Sequence, residues 1–225
     1  MPSPSVQAVG TSISSTGDVA VDWPAHQAGD LGILIFEGNN AAIQRTISGW
    51  TDVTGLPEVS DSSTLQMKWK IASSASEPFV TIYDIGDHVT AVIMTIRGVN
   101  PTNPFEAVGV GHRLVSSTTV TLPEVTTNQD GSLIVAVATR GNDSLAGEFS
   151  GWNYPQIFDT ITEEFDYGTA SGDGGGIGIA SVVWTGHGDT GDGSATTSSS
   201  SYQCGVTMAF APYDPPGCRV QFIGV

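Results

Sequence analysis

Apolar and polar positions along this chain fall into short runs with the spacing of β-strands. Residues 65–71 alternate: Leu65, Met67, Trp69 and Ile71 fall on one face, Gln66, Lys68 and Lys70 on the other, which is the two-residue period of a strand. Residues 30–36 contain a continuous apolar run instead, Leu31-Gly32-Ile33-Leu34-Ile35-Phe36, as expected for a strand central to a sheet. Residues 88–98 and 205–212 are rich in apolar and β-branched side chains and stop at Gly98 and Pro212; each is long enough for a central strand. Shorter strands are expected at 7–13, 19–23 and 79–83. A weaker one, 105–115, follows the turn cluster Asn100-Pro101-Thr102-Asn103-Pro104. Helical periodicity is close to nil, and at residues 159–165 Ile161, Thr162 and Phe165 suit a strand better than a helical turn.

The pattern is written twice. Ser116-Ser117-Thr118 lies 102 positions after Ser14-Ser15-Thr16, Leu133 lies 102 after Leu31, and Ser150-Gly151-Trp152 lies 102 after Ser48-Gly49-Trp50. Gly141-Asn142-Asp143 echoes Gly38-Asn39-Asn40 with one residue of slippage. Further on the offset grows by about a dozen residues. Trp184 then answers Trp69, and residues 206–210 answer 92–96. The extra residues fall around Gly172-Asp173-Gly174-Gly175-Gly176 and in 186–201, which read as loop insertions. Two copies of a strand set can form one barrel-like sandwich or two tandem domains. The junction at 105–117 has no linker of useful length, which favours one continuous body. The expected fold is all-β: a jelly-roll-like antiparallel β-sandwich with internal duplication and a short C-terminal extension. Its parts are a first half at 1–104, a second half at 105–212 and an arm at 213–225.

Composition narrows the partners. Seven basic side chains stand against 23 acidic ones, a formal charge of -16. Such a surface repels polyanions, so nucleic acid is not an expected partner. No run of about twenty apolar residues marks a membrane span, and Met1-Pro2-Ser3-Pro4-Ser5 lacks the basic and apolar segments of a signal peptide. Cys204 and Cys218 are close enough to bond if the chain turns at Pro215-Pro216-Gly217, yet a protein made in the cytosol would more often keep both as thiols.

No stretch assembles a reaction centre. His26, His88, His112 and His187 have no pair at zinc-ligand spacing and read as surface or loop residues. The serines include no Gly-x-Ser-x-Gly elbow. Glu163, Glu164 and Asp166 are clustered, but neighbours on a strand point to opposite faces, so they read as a solvated acidic edge rather than a glycosidase pair. The Gly/Asp stretches 171–175 and 188–193, with Asp189 and Asp192, raise calcium, but neither matches the twelve-residue calcium loop. No cofactor is therefore expected. Trp50 and Trp152, like Trp69 and Trp184, take matching repeat positions and read first as shared packing. The apolar tail 218–225 has no slot in the repeat. It is either a last edge strand of its own sheet or an arm that adds to a neighbour's sheet through Arg219, Val220, Phe222, Ile223 and Val225.

Four segments taken together, Gly29-Asp30-Leu31, Gly49-Trp50-Thr51, residues 67–72 and residues 92–99, resemble a group of tailed-bacteriophage virion structural proteins. The resemblance covers nearly the whole chain through Pro212 and rests on packing motifs. It implies a non-enzymatic β-sandwich protein on the virion surface, made in the host cytoplasm and decorating or stabilising the capsid. Its expected partners are other virion proteins, the major capsid protein among them, and further copies of itself. The alternative is a receptor- or glycan-binding module of a tail or fibre, using Trp or Tyr side chains at loop ends.

Overall fold

The structure is a computed structural model that describes residues 1–38, 46–83, 86–143 and 147–214. All regular elements among them are β-strands, and all their pairings are antiparallel. The first half contains β1 (Ser5–Val9), β2 (Ile13–Ser15), β3 (Val19–Val21), β4 (Leu31–Gly38), β5 (Thr51–Asp52), β6 (Glu58–Val59), β7 (Thr64–Ile71), β8 (Val80–Ile82) and β9 (Val89–Arg97). The second contains β10 (Ala107–Leu122), β11 (Thr126–Thr127), β12 (Ser132–Arg140), β13 (Phe149–Asn153), β14 (Thr162–Thr169), β15 (Gly175–Trp184), β16 (Gly188–Asp189) and β17 (Gly193–Phe210).

The first large sheet has the order β1-β9-β4-β7-β5, with β2 on β9 and β6 on β7. The second has the order β10-β17-β12-β15-β14, with β13 on β17. Each half adds a two-stranded sheet, β3-β8 in the first and β11-β16 in the second. Each half thus winds like a jelly roll whose second sheet is cut down to two strands.

Three apolar clusters bind four layers together. The central one joins the large sheets through Leu31, Ile33, Ile35, Met94 and Ile96 from one half and Leu133, Val135, Val137, Met208 and Phe210 from the other. Leu34, Phe36 and Ile93, on the opposite face of the first sheet, pack on Val19, Val21, Val80 and Ile82 of its small sheet. In the second half Ile134, Ala136 and Val182 pack instead with Val120 and Leu122 of β10, Val125 just before β11, and Phe149, Tyr154 and Trp184. Both faces of β4 and β12 are therefore covered, and every residue of both strands is buried. This is why residues 31–36 read as an unbroken apolar run. The polar face of β7 is covered as well: Gln66 and Lys68 are buried, with Lys68 reaching out to the exposed Asp52 carboxylate.

The register confirms the duplication residue by residue. Leu31 faces Ile96 and Ile33 faces Met94, as Leu133 faces Phe210 and Val135 faces Met208. Gly29 and Gly131, both at positive φ, precede β4 and β12 and donate to the carbonyls of Ala72 and Trp184. That second pair corrects one expectation. Trp184 takes the place of Ala72, and Ser181, opposite Val135, takes the place of Trp69, opposite Ile33. Trp69 packs on the central core and Trp184 on an outer one. The insertions differ from expectation too: 193–201 extends β17 rather than forming a loop, and Gly175 and Gly176 open β15 as buried strand residues.

Candidate functional site

A buried polar cluster lies where the two halves meet, at the ends of five strands, β4, β7, β9, β12 and β15. Glu37, near the end of β4, and His88, just before β9, are fully buried, with His88 Nε2 2.9 Å from Glu37 Oε2. Ser63 donates to the other carboxylate oxygen at 3.1 Å, and its hydroxyl lies 3.0 Å from that of Thr139 on β12. Burial pushes the Glu37 carboxyl above its ordinary range, against the opposing hydrogen bonds from His88 and Ser63. Gly175 backs onto the pair, and a Cβ there would stand 2.4 Å from Glu37 Oε2 and 2.5 Å from His88 Nε2. Among the described residues His88 Nδ1 has no partner.

This cluster carries the side-chain types of a hydrolytic triad in the wrong order. The carboxylate, not the imidazole, touches the serine hydroxyl, so His88 cannot take the Ser63 proton. The arrangement works as a clasp between the halves. Cys204 lies beside it, buried, with Sγ 3.5 Å from the Ser63 carbonyl oxygen. Burial pushes its thiol up to about 11, which keeps it protonated and unreactive.

Reading the residues alone places His88 on the surface or in a loop, and the buried Glu37 contact corrects that. No spacing rule links residues 37, 63, 88, 139 and 175; the signal was one polar residue, Glu37, at the end of an otherwise apolar strand. The other histidines are at the periphery: His26 contacts the Pro24 carbonyl oxygen at 2.6 Å, His112 lies 2.6 Å from Glu58, and His187 lies 2.7 Å from Asp130.

The basic side chains are largely committed within the fold. Lys68 pairs with Asp52, Lys70 with Glu77, Arg97 with Asp30 and Arg140 with Glu148. Burial alone would raise the Asp30 carboxyl, but two Arg97 hydrogen bonds and the Gln27 amide hold it below its usual range. Glu77 feels the same burial, and its Lys70 and Ser73 contacts bring it down to about 2. Buried Arg140 floors a depression of about 520 Å³ with Asp143 and Asp173 on its rim. Its guanidinium is held by Glu148 and Ser199 at 2.8 and 2.7 Å, so it does not present a free cation there.

The acidic trio on β14 is not simply solvated. Glu163 accepts from the Trp152 indole N–H, Glu164 from the Ser181 hydroxyl and Asp166 from the Phe149 amide. A register shift between Glu163 and Phe165 breaks the strict alternation of faces. Asp189 accepts from the Thr126 hydroxyl and Asp192 from the Glu124 amide. Among the described residues no three His, Cys, Asp or Glu side chains converge in a metal-binding group. Arg219, Val220, Phe222, Ile223 and Val225 lie outside the described residues, as does Cys218, the other cysteine of the chain. No protein-family model, curated protein or solved structure matches this chain.

Proposed function

We propose that this chain is a non-enzymatic structural protein of a bacteriophage virion, set on the particle surface, where it decorates or stabilises the capsid through protein–protein contacts. The phage assignment rests on the four sequence segments that resemble virion proteins. What favours assembly is the strand pair β10-β17. Neither strand contains a carboxylate, in a chain whose formal charge is -16. β10 is the terminal strand of its sheet. Its pairing with β17 breaks between Arg113 and Ser117, and Leu114 and Val115 stand 62% and 72% exposed in the break. The Arg113 guanidinium folds back onto the Ser117 hydroxyl and the Thr119 carbonyl oxygen, leaving the two apolar side chains to solvent. An unpaired edge with adjacent exposed aliphatics and little repulsion suits strand addition by another protein or another copy. The tail 218–225 supplies a second attachment element of the same kind.

Two measurements test this reading: the solution mass of the purified protein and its presence on purified particles. The intact chain is expected to form a closed oligomer and to be incorporated. Paired substitutions Leu114→Asp and Val115→Asp are expected to shift the mass toward the monomer with no loss of melting temperature, and removal of 218–225 to weaken incorporation. A strictly monomeric protein, absent from particles, would overturn the reading.

A further inference from the structure

We infer that the outer flank of the first half is a binding site for a short neutral saccharide, a role distinct from assembly. The small strand β8 has two faces. Val80 and Ile82 point inward and are buried against Val19, Val21 and Phe36. The alternate positions Phe79, Thr81 and Tyr83 therefore share the outward face. Phe79 is 60% exposed and Tyr83 61%. They stand about 13 Å apart along the strand, at roughly 3.3 Å per residue. With Trp50, Ser48, Thr46 and Lys70 they line a depression of about 280 Å³, at the small end of the range for ligand sites and sized for a mono- or disaccharide.

The lining favours a sugar. Aromatic faces carry partial negative charge and attract the weakly positive C–H bonds of a pyranose face, while the hydroxyls of Thr46, Ser48 and Thr81 match sugar hydroxyls. Trp50 leans on Trp23, with ring centroids 5.3 Å apart, which fixes its plane. Among the described residues none accepts a hydrogen bond from its indole N–H, whereas the Trp152 indole N–H is tied to Glu163 at 2.9 Å. Among the described residues of the lining the one charged side chain, Lys70, is neutralised by Glu77 and lies 5.8 Å from the Trp23 ring centroid. Among the described residues no unpaired cation faces this lining, which favours a neutral sugar over a sialic acid or a sulfate.

The duplication supplies an internal comparison. The counterpart of β8 is β16, where Gly188 and Asp189 are flanked by His187 and Thr190 and by no Phe, Tyr or Trp. The same unit folds there without an exposed Phe, Tyr or Trp, so Phe79 and Tyr83 are not needed to build it. Exposing two large rings costs solubility, and a ligand lying across them would offset that cost.

The test is a titration of the full chain, followed by tryptophan fluorescence and calorimetry, with neutral mono- and disaccharides of gluco, galacto and manno configuration and with their sialylated and sulfated counterparts. At least one neutral sugar is expected to bind and to perturb the fluorescence. Phe79→Ala and Tyr83→Ala are each expected to weaken it tenfold or more with melting temperature and oligomeric mass unchanged. Absence of binding to every neutral sugar, preference for the charged ones, or full affinity in the Phe79→Ala/Tyr83→Ala double variant would overturn the inference. The proposed assembly role is scored separately by the mass measurement.

Discussion

At the level of single side chains, Glu37 and Glu77 respond to acid in opposite ways. Both start from an ordinary value of 4.5. Burial raises Glu37, so the folded chain holds its proton more tightly than the unfolded one. That contribution is fully present below about pH 4.5 and is lost as pH rises through the folded value. Glu77, lowered to about 2, contributes stability above about 4.5 that is lost as pH falls toward 2. Glu37→Gln removes the first effect and keeps the shape of the side chain. In urea unfolding between pH 4 and pH 8, wild type is expected to lose ground progressively to Glu37→Gln as pH rises. Parallel pH profiles would show that Glu37 carries the same charge in both states. None of this was open to a reading of spacing alone. The partners of Glu37 come from residues 26, 51 and, through Ser63, 102 positions away.

Among the elements, the strands that were legible are those whose burial leaves a periodic or continuous apolar signal. β4, β7, β9, β12 and the second half of β17 all stood out for that reason. The two-residue strands β5, β6, β11 and β16 carry too few side chains for any period to show. The equivalence of Trp69 and Trp184 failed because matching residue types is not matching register: a shift of three positions along β15 moves a tryptophan from the inner face to the outer one. Gly32 illustrates how an element accepts its neighbour. A Cβ there would stand 2.2 Å from the Trp23 ring, so the bare backbone is what lets the indole lie on β4. Gly32→Ala is expected to cost about 1–3 kcal/mol, or about 2–4 °C of melting temperature per kcal/mol in a chain of this size. Gly17→Ala, where the nearest atom is the Ser15 Oγ at 3.9 Å, is the control and should melt within a degree or so of wild type. Equal melting of all three proteins would mean that Trp23 can move aside.

For the whole molecule, the central core is shared. Leu31, Ile33, Met94 and Ile96 are buried by residues of the other half, and the Glu37–Ser63–Thr139 contacts cross the same boundary. Residues 1–104 expressed alone would present that apolar face to water, and so would 105–212. Each piece is expected to aggregate or to unfold without a cooperative transition, while the intact chain unfolds in a single step by calorimetry. Two separate transitions in the intact chain, matching those of soluble fragments, would make each half an independent folding unit.

The face-to-face placement of two like sheets has the geometry of a homodimer whose subunits have been fused. Identical subunits must carry every alteration in duplicate, and a change that suits one surroundings is imposed on the other. Fusion lifts that constraint. Here one half ends on a strand of 18 residues and the other on one of 9, so a single chain carries two dissimilar exteriors around one shared middle.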